Sequence, residues 1–533
     1  MGIFDAFKKQ PETDAALIER AAETLVKNPK QNIPQLFKAI SSKWNGADRS
    51  RLSMGGRTVT TDDADSSISW DRQELVNRSR DAERNYPIAT AILDKLSINV
   101  VGSGFTLLSR VDADELGITT EEAKKISDYI EKEWELFANS VECDATRTQV
   151  LGSMAKLWYT QKLRNGDAFI NLIRIDQKKR PGNPYTLALQ GVEADRISNK
   201  NFAPNTDTLF DGVEKDEYGA PIAYHVMRQH PGAYAKSMRK DIYVWDIINA
   251  FDQNGLRKFI HLYEKKRDGQ SRGFPKLAPI LEKLKQSSDF SEGHLNQALA
   301  SQLLAVFIES ENQIDLNDLI IAAAGGTTTK SANAEYRMGS GPQVINLQKG
   351  DKVNHTTPAL PSPQYTPFFT AQLQEISMSM GISYEVLSGK FEASYSAARA
   401  ALLEFWKLVV NERAEFARTF YDVVYENWFW EAVASGRIEA PGFFTDYRIR
   451  RAYLRCEWRG APKGMINEAA EMKAARDRVD MGISNLDIEA ANIGNDFDKI
   501  WPQRIYETEI MSKIAPAIPV ADNAPIIDPT IQE

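Results

Sequence analysis

The chain has 533 residues, 42% hydrophobic and 26% charged, an ordinary globular balance that supports several domains and a large buried core. A net charge of -8 and a pI of about 5.5 exclude a protein that grips nucleic acid over most of its surface, because such affinity comes from Lys and Arg displacing counterions from phosphate. The same balance is compatible with a conduit through which nucleic acid slides without being held.

Cys143 and Cys456 are far apart and lack metal-ligand spacing, so free thiols in a reducing compartment are expected. The start MGIFDAFKK has neither a secretory apolar run nor Ser/Thr at the myristoylation position. No stretch approaches ~18 uncharged apolar residues, so no membrane span is expected, and the reading is a soluble protein made in the cytoplasm.

Residues 1–60 carry two short helical patterns, Ala15–Val26 and Ile33–Ser42, before a Gly/Arg/Thr/Asp-rich stretch. They read as a mobile arm or as a plain surface tail. From Asp71 to Val100 the pattern is helical, with Leu75, Ile88, Ile92 and Leu96 on the apolar face and a break at Asn85-Tyr86-Pro87. VVGSGF then predicts a strand and turn. Ile126, Ile130, Trp134 and Phe137 predict a helix over Glu121–Phe137, and a second fits Gln149–Asn165. Strands fit Ala168–Ile175, Thr186–Gly191, Pro221–Met227 and Phe259–Tyr263, so residues 71–263 read as one α+β domain.

After Arg272 helices are predicted over Phe274–Phe290, Gly293–Ser310 and Phe368–Met380, interrupted at 311–365 by a Gly/Thr/Ser- and Pro-rich strand-and-loop insertion. GISYEVLSGKFEASYSAARA reads as a loop leading into a very long helix over Ser396–Ala434. Thr445–Trp458 alternates like an arginine-rich strand. Gly464–Arg478 and Asn485–Asn492 read as helices, and the Pro/Ala/Ile-rich tail after Met511 as disordered.

Catalytic signals fail in context. Gly269-Gln270-Ser271-Arg272-Gly273 matches G-x-S-x-G, but a nucleophile elbow needs a buried strand leading into it, and here EKKRD precedes. GGTTTKS at Gly325–Ser331 has Thr329 where a phosphate loop needs glycine. Gly102-Ser103-Gly104 is half a dinucleotide fingerprint. His225, His230, His261, His294 and His355 share no metal-ligand spacing. No enzyme activity and no cofactor are expected.

Four segments together resemble the lambda-like family of tailed-bacteriophage portal proteins. They are RSRDAERNYPIATAILDKLSINVVGSGFTL (Arg78–Leu107), IHLYEKKRDGQSRGFPKLAPILEKLKQ (Ile260–Gln286), GISYEVLSGKFEASYSAARAALLEFW (Gly381–Trp406) and APKGMINEAAEMKAARDRVDMGISNL (Ala461–Leu486). In the second, His261, Arg267, Gly269, Gln270, Arg272, Gly273 and Pro275 match the family run. One departure stands out: the family often has Asp-Pro-x-Lys-Glu near the last segment, where this chain has Asn467-Glu468-Ala469.

The resemblance implies a portal-protein fold of the α+β class, with an α/β wing, helical stem, strand-containing clip, long kinked helix and helical crown. Mapped on this chain, it implies an N-terminal arm at 1–70, partly disordered, and a wing at 71–272. A stem helix region follows at 273–310, a clip at 311–365, a second stem helix at 366–381 and a tunnel loop at 382–395. The long helix and a wing return strand take 396–460, a crown 461–510 and a disordered tail 511–533. It further implies a closed ring, typically of twelve copies, at one capsid vertex of the virion. Double-stranded DNA would pass through, and the terminase large subunit, major capsid protein and head-completion or connector proteins would dock on it. In this mapping the channel-loop residues are Lys390, Glu392, Ser394 as helix N-cap, Tyr395 and Arg399. The terminase-facing residues are Lys330, Arg337, Lys349 and Lys352, whose alternative is an ordinary solvated loop. Two other classes remain: a phage DNA-processing enzyme, and a capsid structural protein without a channel.

Overall fold

The computed structural model describes residues 61–233, 243–302, 306–309, 352–355, 365–391, 395–464 and 467–514. The chain divides into two units, Met1–Asp63 and Ala64–Glu533, and the described elements belong to the second. The helical patterns expected at Ala15–Val26 and Ile33–Ser42 lie outside the described residues.

Helices α1 (Arg72–Asn85) and α2 (Pro87–Val100) meet at Tyr86, whose extended backbone fits the restriction a following proline imposes. Pro87 opens α2, where its missing N–H leaves no helical bond unmade. Ala89, Ile92, Leu93, Leu96 and Val100 recur every three or four residues, and all are buried. Strand β1 (Thr106–Ser109) precedes α3 (Thr120–Ala138). A Thr119–Glu122 capping box starts α3, and Ile130, Trp134 and Phe137 face inward from it. Helix α4 (Leu151–Asn165) buries Met154, Trp158, Tyr159 and Leu163 and stops at Gly166, which is left-handed at φ 85°. A Cβ there would lie 2.5 Å from the Phe274 backbone, so this glycine serves both the turn and the close approach of two segments.

Strands β2 (Asp167–Arg174) and β3 (Leu187–Val192) begin the next section, followed by β4 (Leu209–Phe210), β5 (Val213–Lys215), β6 (Pro221–Met227), β7 (Trp245–Asn249) and β8 (Phe259–Tyr263). They form two antiparallel sheets, of order β3-β2-β8 and β4-β5-β6-β7. Strand β2 is buried on both faces. Ala168, Ile170 and Leu172 join the main core, while Phe169 joins a second core with Val192, Tyr224 and Phe259. This double burial explains why β2 reads as a nearly unbroken apolar run.

Helix α5 (Leu281–Gln302), β9 (Val306–Glu309), β10 (Lys352–His355) and α6 (Tyr365–Met380) follow. The contacts between α5 and α6 run in opposite chain order. Lys283 pairs with Glu375 at 3.2 Å, Ser287 donates to Gln372 at 2.6 Å, and Phe290 stacks on Tyr365 at 5.6 Å. The two helices are therefore antiparallel, and the antiparallel β9–β10 pair continues from their far end. Nearly all of the 311–365 insertion lies outside the described residues.

The short α7 (Tyr384–Ser388) precedes α8 (Tyr395–Phe416), which runs through a π-helical turn at Ala417–Tyr421 into α9 (Asp422–Ala434). Those 40 residues make one rod of about 60 Å. Its second half is inserted into the main core, with Phe416, Phe420, Tyr421, Val424, Tyr425, Trp428 and Phe429 all buried. Beyond it lie α10 (Tyr447–Leu454), β11 (Cys456–Arg459), α11 (Glu468–Asp480), α12 (Leu486–Asn492) and α13 (Phe497–Ile514). Strand β11 returns to pair antiparallel with β1, across more than 300 residues of chain. The α+β class is as expected, and the core built by residues 71–263 is completed by this return.

Five local readings are corrected. Thr445–Trp458 is mostly helix, not strand. Asp446 caps α10 by accepting from Arg448 N at 2.7 Å, and Ala452, Tyr453 and Leu454 turn inward while Arg448 and Arg451 are exposed and Arg450 lies over the Trp430 ring at 4.8 Å. Gly293–Ser310 is not wholly helical, because Val306–Glu309 is drawn into a pairing with residues some 46 positions away. Phe274–Phe290 starts late, at Leu281 after a 3₁₀ turn at Ala278–Ile280, and then continues through Gly293. VVGSGF gives the turn first and the strand afterwards, since Val100 and Val101 finish α2 in the core. The tail beginning at 511 includes four residues of α13.

Both cysteines are free, as expected; burial pushes each thiol up to about 12. Among the described residues no helix is long and apolar enough to cross a membrane.

Candidate functional site

The G-x-S-x-G segment is held by a buried polar network. Asp167, the first residue of β2, and Arg272 are both completely buried, and Arg272 Nε donates to Asp167 at 2.8 Å. His261 on β8 donates from Nε2 to Asp167 at 2.9 Å, and Gly273 N does so at 2.7 Å. Arg272 also donates to the Asp211 carbonyl at 2.6 Å and lies over the Phe169 ring at 5.0 Å. Arg72, from α1, sits 3.7 Å from Asp167 and pairs with Asp211. Burial alone would raise the Asp167 carboxyl; Arg272, His261 and Arg72 outweigh it and hold it far below the usual carboxylate range.

Ser271 is no nucleophile in this setting. It is buried and donates to Asp65 at 2.6 Å, and Gln270 stitches the turn through Lys266 N at 2.8 Å and the Arg272 carbonyl at 2.8 Å. The segment is a turn, as its sequence context predicts. The network ties α1, β2, β8 and the turn between β4 and β5 to the point where the chain leaves the sheets for α5.

His261 is pushed below the ordinary imidazole range, first by burial and then by the facing Arg272 and Arg72, against the pull of Asp167. It is therefore neutral when folded. The unfolded chain binds this proton near pH 6.5 and the folded chain only lower, so the stability is present above about 6.5 and falls as pH drops below it. We expect the wild-type melting temperature to decline from pH 7 to 5, with a shallower decline in His261→Gln. Parallel profiles would remove His261 from the account.

The π turn is the second built feature. Tyr421 Oη accepts from Phe105 N at 3.1 Å, its ring stacks on Phe105 at 4.8 Å, and the Trp458 ring lies 4.9 Å away. The turn carries the buried aromatic face of the rod from Phe416 through Phe420 and Tyr421 into α9.

The expected channel-loop residues are only partly gathered. Lys390 is exposed just past Gly389, which closes α7 in the left-handed region at φ 70°. Glu392 and Ser394 lie outside the described residues, and Tyr395 is the first residue of α8. Arg399 is exposed and lines a cleft of about 940 Å³ between α8 and helices α11 and α12, shared with Arg413, Arg459 and Arg478. Lys330, Arg337 and Lys349 lie outside the described residues, and Lys352 opens β10. Asn467, at the departure from the family pattern, caps α11 by accepting from Ala470 N at 3.1 Å. The reading from sequence missed the Asp167–Arg272 pair, although the GQSRG match pointed at its second member.

Among the described residues no cluster of His, Cys, Asp or Glu could hold a metal ion. The sequence pattern of the family described as "Phage portal protein, lambda family" matches residues 50–413. Portal protein B of Escherichia phage lambda is 27% identical over 450 residues, covering 81% of this chain and 82% of that protein. The portal protein of Escherichia phage N15 is 26% identical, covering 81% and 83%. A chain from the neck of a native GTA particle is 12% identical, with a TM-score of 0.42, covering 79% of this chain and 94% of that one. The pattern matched over more than half its length shows that this chain belongs to the lambda family of phage portal proteins.

Proposed function

We propose that the chain is the ring subunit of a portal: a closed ring of twelve copies at one capsid vertex, through which double-stranded DNA is packaged and later ejected. The observation that carries this beyond the family is the run of elements after Arg272. An antiparallel helix pair holds an insertion at its far end, and a short loop then feeds a rod of about 60 Å anchored in the sheet domain. In that reading α5 and α6 are the stem, 311–365 the clip, 382–395 the tunnel loop, 461–510 the crown, and the elements around β2 the wing. The terminase large subunit docks on the clip, with Lys330, Arg337, Lys349 and Lys352 as its basic face. The major capsid protein and the head-completion or connector proteins take other faces. The ring assembles in the host cytoplasm and ends in the virion.

Lys390, Glu392, Ser394, Tyr395 and Arg399 line or support the narrowest part of the channel. One Lys and one Glu leave the loop near neutral, which suits a surface that touches phosphate without holding it. The test is electron microscopy of the purified chain followed by packaging assays. We expect end-on rings with a central hole, and for Lys390→Ala and Glu392→Ala intact rings with altered DNA packaging or retention. Only monomers and dimers at micromolar concentration would sink the ring. Wild-type packaging in both variants would remove the loop from the channel.

A further inference from the structure

The cleft beside α8 is larger and more basic than a packing gap between helices. At about 940 Å³ it lies near the top of the roughly 300–1,000 Å³ range of ligand sites, too large for a single ion. Five cationic side chains line it against two carboxylates, Glu471 and Glu489, and Glu489 is already engaged by Arg478 at 2.7 Å. Among the described residues no carboxylate contacts Arg413. It donates to the carbonyls of Val100 at 3.0 Å and Asn99 at 2.5 Å, and its guanidinium lies 4.8 Å from the Trp406 ring centre. Arg459 shares Asp487 with Arg110 and keeps one buried nitrogen without a hydrogen-bond partner among the described residues. Trp406 and Phe497 add aromatic faces to the lining. An acceptor of this kind asks for an acidic, apolar, extended peptide.

The chain carries such a peptide. Residues 515–533, APAIPVADNAPIIDPTIQE, contain Asp522, Asp528 and Glu533 and no Lys or Arg. Pro516 and Pro519 form the P-x-x-P pattern that suits aromatic-lined grooves, and Ile518, Ile526, Ile527 and Ile531 supply apolar side chains. Reach is sufficient. Helix α13 begins at Phe497 on the cleft wall and its 18 residues cover about 27 Å, whereas 19 residues at about 3.1 Å each span roughly 59 Å.

We propose that this cleft is a peptide-binding surface whose occupant is the chain's own C-terminal segment, residues 515–533, from the same or a neighbouring subunit. The pairing joins the C-terminal helices to the first half of the long helix through the ligand. It also accounts for an Arg413 that burial lowers to about 10 with no carboxylate beside it among the described residues. The proposal does not depend on where the channel lies.

The test uses the full chain with a benzoylphenylalanine photocrosslinker in place of Ile526. We expect crosslinks to peptides containing Trp406, Met472 or Phe497. Arg399→Glu with Lys463→Glu, both at the cleft rim, should reduce that yield at least fivefold. Asp522→Lys with Asp528→Lys should do the same, and the two pairs combined should restore it. Crosslinks confined to other regions, no crosslinks, or a yield indifferent to both charge reversals would each overturn the proposal. Mixing isotope-labelled and unlabelled chains separates capture within a subunit from capture between neighbours, and either result supports the site.

Discussion

Arg272→Met should destabilise the protein by about 3 kcal/mol at neutral pH, the low end of the roughly 3–5 kcal/mol expected when one partner of a buried ion pair is removed. The size follows from what is left behind. Asp167 is fully buried and, among the described residues, keeps only His261 and the Gly273 N–H as direct hydrogen-bond donors. Arg72, at 3.7 Å, supplies some compensation, which is why the low end applies. The pH dependence should also change sign. In the wild type the Asp167 carboxyl is depressed, so its stabilisation is present above its unfolded value of about 3.9 and is lost as pH falls toward the folded value. Without Arg272 burial dominates and the carboxyl rises above 3.9. Its contribution is then present below that value and lost as pH climbs, so the deficit should shrink in acid. Chemical denaturation of both proteins at pH 4.5 and 7 measures this. Asp167→Asn added to Arg272→Met should recover part of the loss, since no buried charge then remains. A deficit equal at both pH values, with no recovery in the double variant, would mean that Arg272 acts by packing alone.

The contrast between this pair and its sequence context shows what was legible. Periodicity located α3 closely, because it buries one face and the code for that is local; β6 and β8 were legible as apolar runs of the right length. The same patterns failed at Val306–Glu309 and Thr445–Trp458. In the first a distant strand decides the structure, and in the second one capping aspartate outweighs an alternation of arginines. Arg272 followed EKKRD and read as part of a solvated turn. Only the fold shows that β2 brings Asp167 beneath it. The resemblance reached the same segment through GQSRG without saying what its arginine does. Of the expected channel and clip residues, Lys390 and Arg399 have described surroundings. Of these only Arg399 joins a larger constellation, one that includes Arg459 and Arg478 from far along the chain. Spacing in sequence carries no signal for such a meeting.

Trp428→Ala should cost about 3–5 kcal/mol, the range for truncating a large buried aromatic side chain. Trp428 is completely buried at the centre of an aromatic cluster. It lies 5.1 Å from Trp134 on α3, 5.8 Å from Tyr185 before β3, and 5.7 Å and 6.1 Å from its helix neighbours Tyr425 and Phe429. These contacts fasten α9, and through the π turn α8, to the sheet domain, so the cavity opens where the long rod is rooted. Trp428→Phe should cost much less, on the order of 1 kcal/mol: among the described residues the indole N–H has no hydrogen-bond partner, and phenylalanine removes that donor along with part of the ring. If the rod transmits position from the sheet domain to the channel, the alanine variant should loosen α8 as well as lower global stability. Hydrogen exchange resolves the two effects. Faster exchange should spread from Asp422–Ala434 through Ala417–Tyr421 into Tyr395–Phe416, while α5 and α6 keep wild-type protection. Acceleration uniform over the whole domain would mean that Trp428 supports only global stability and that the rod is not anchored specifically at its root.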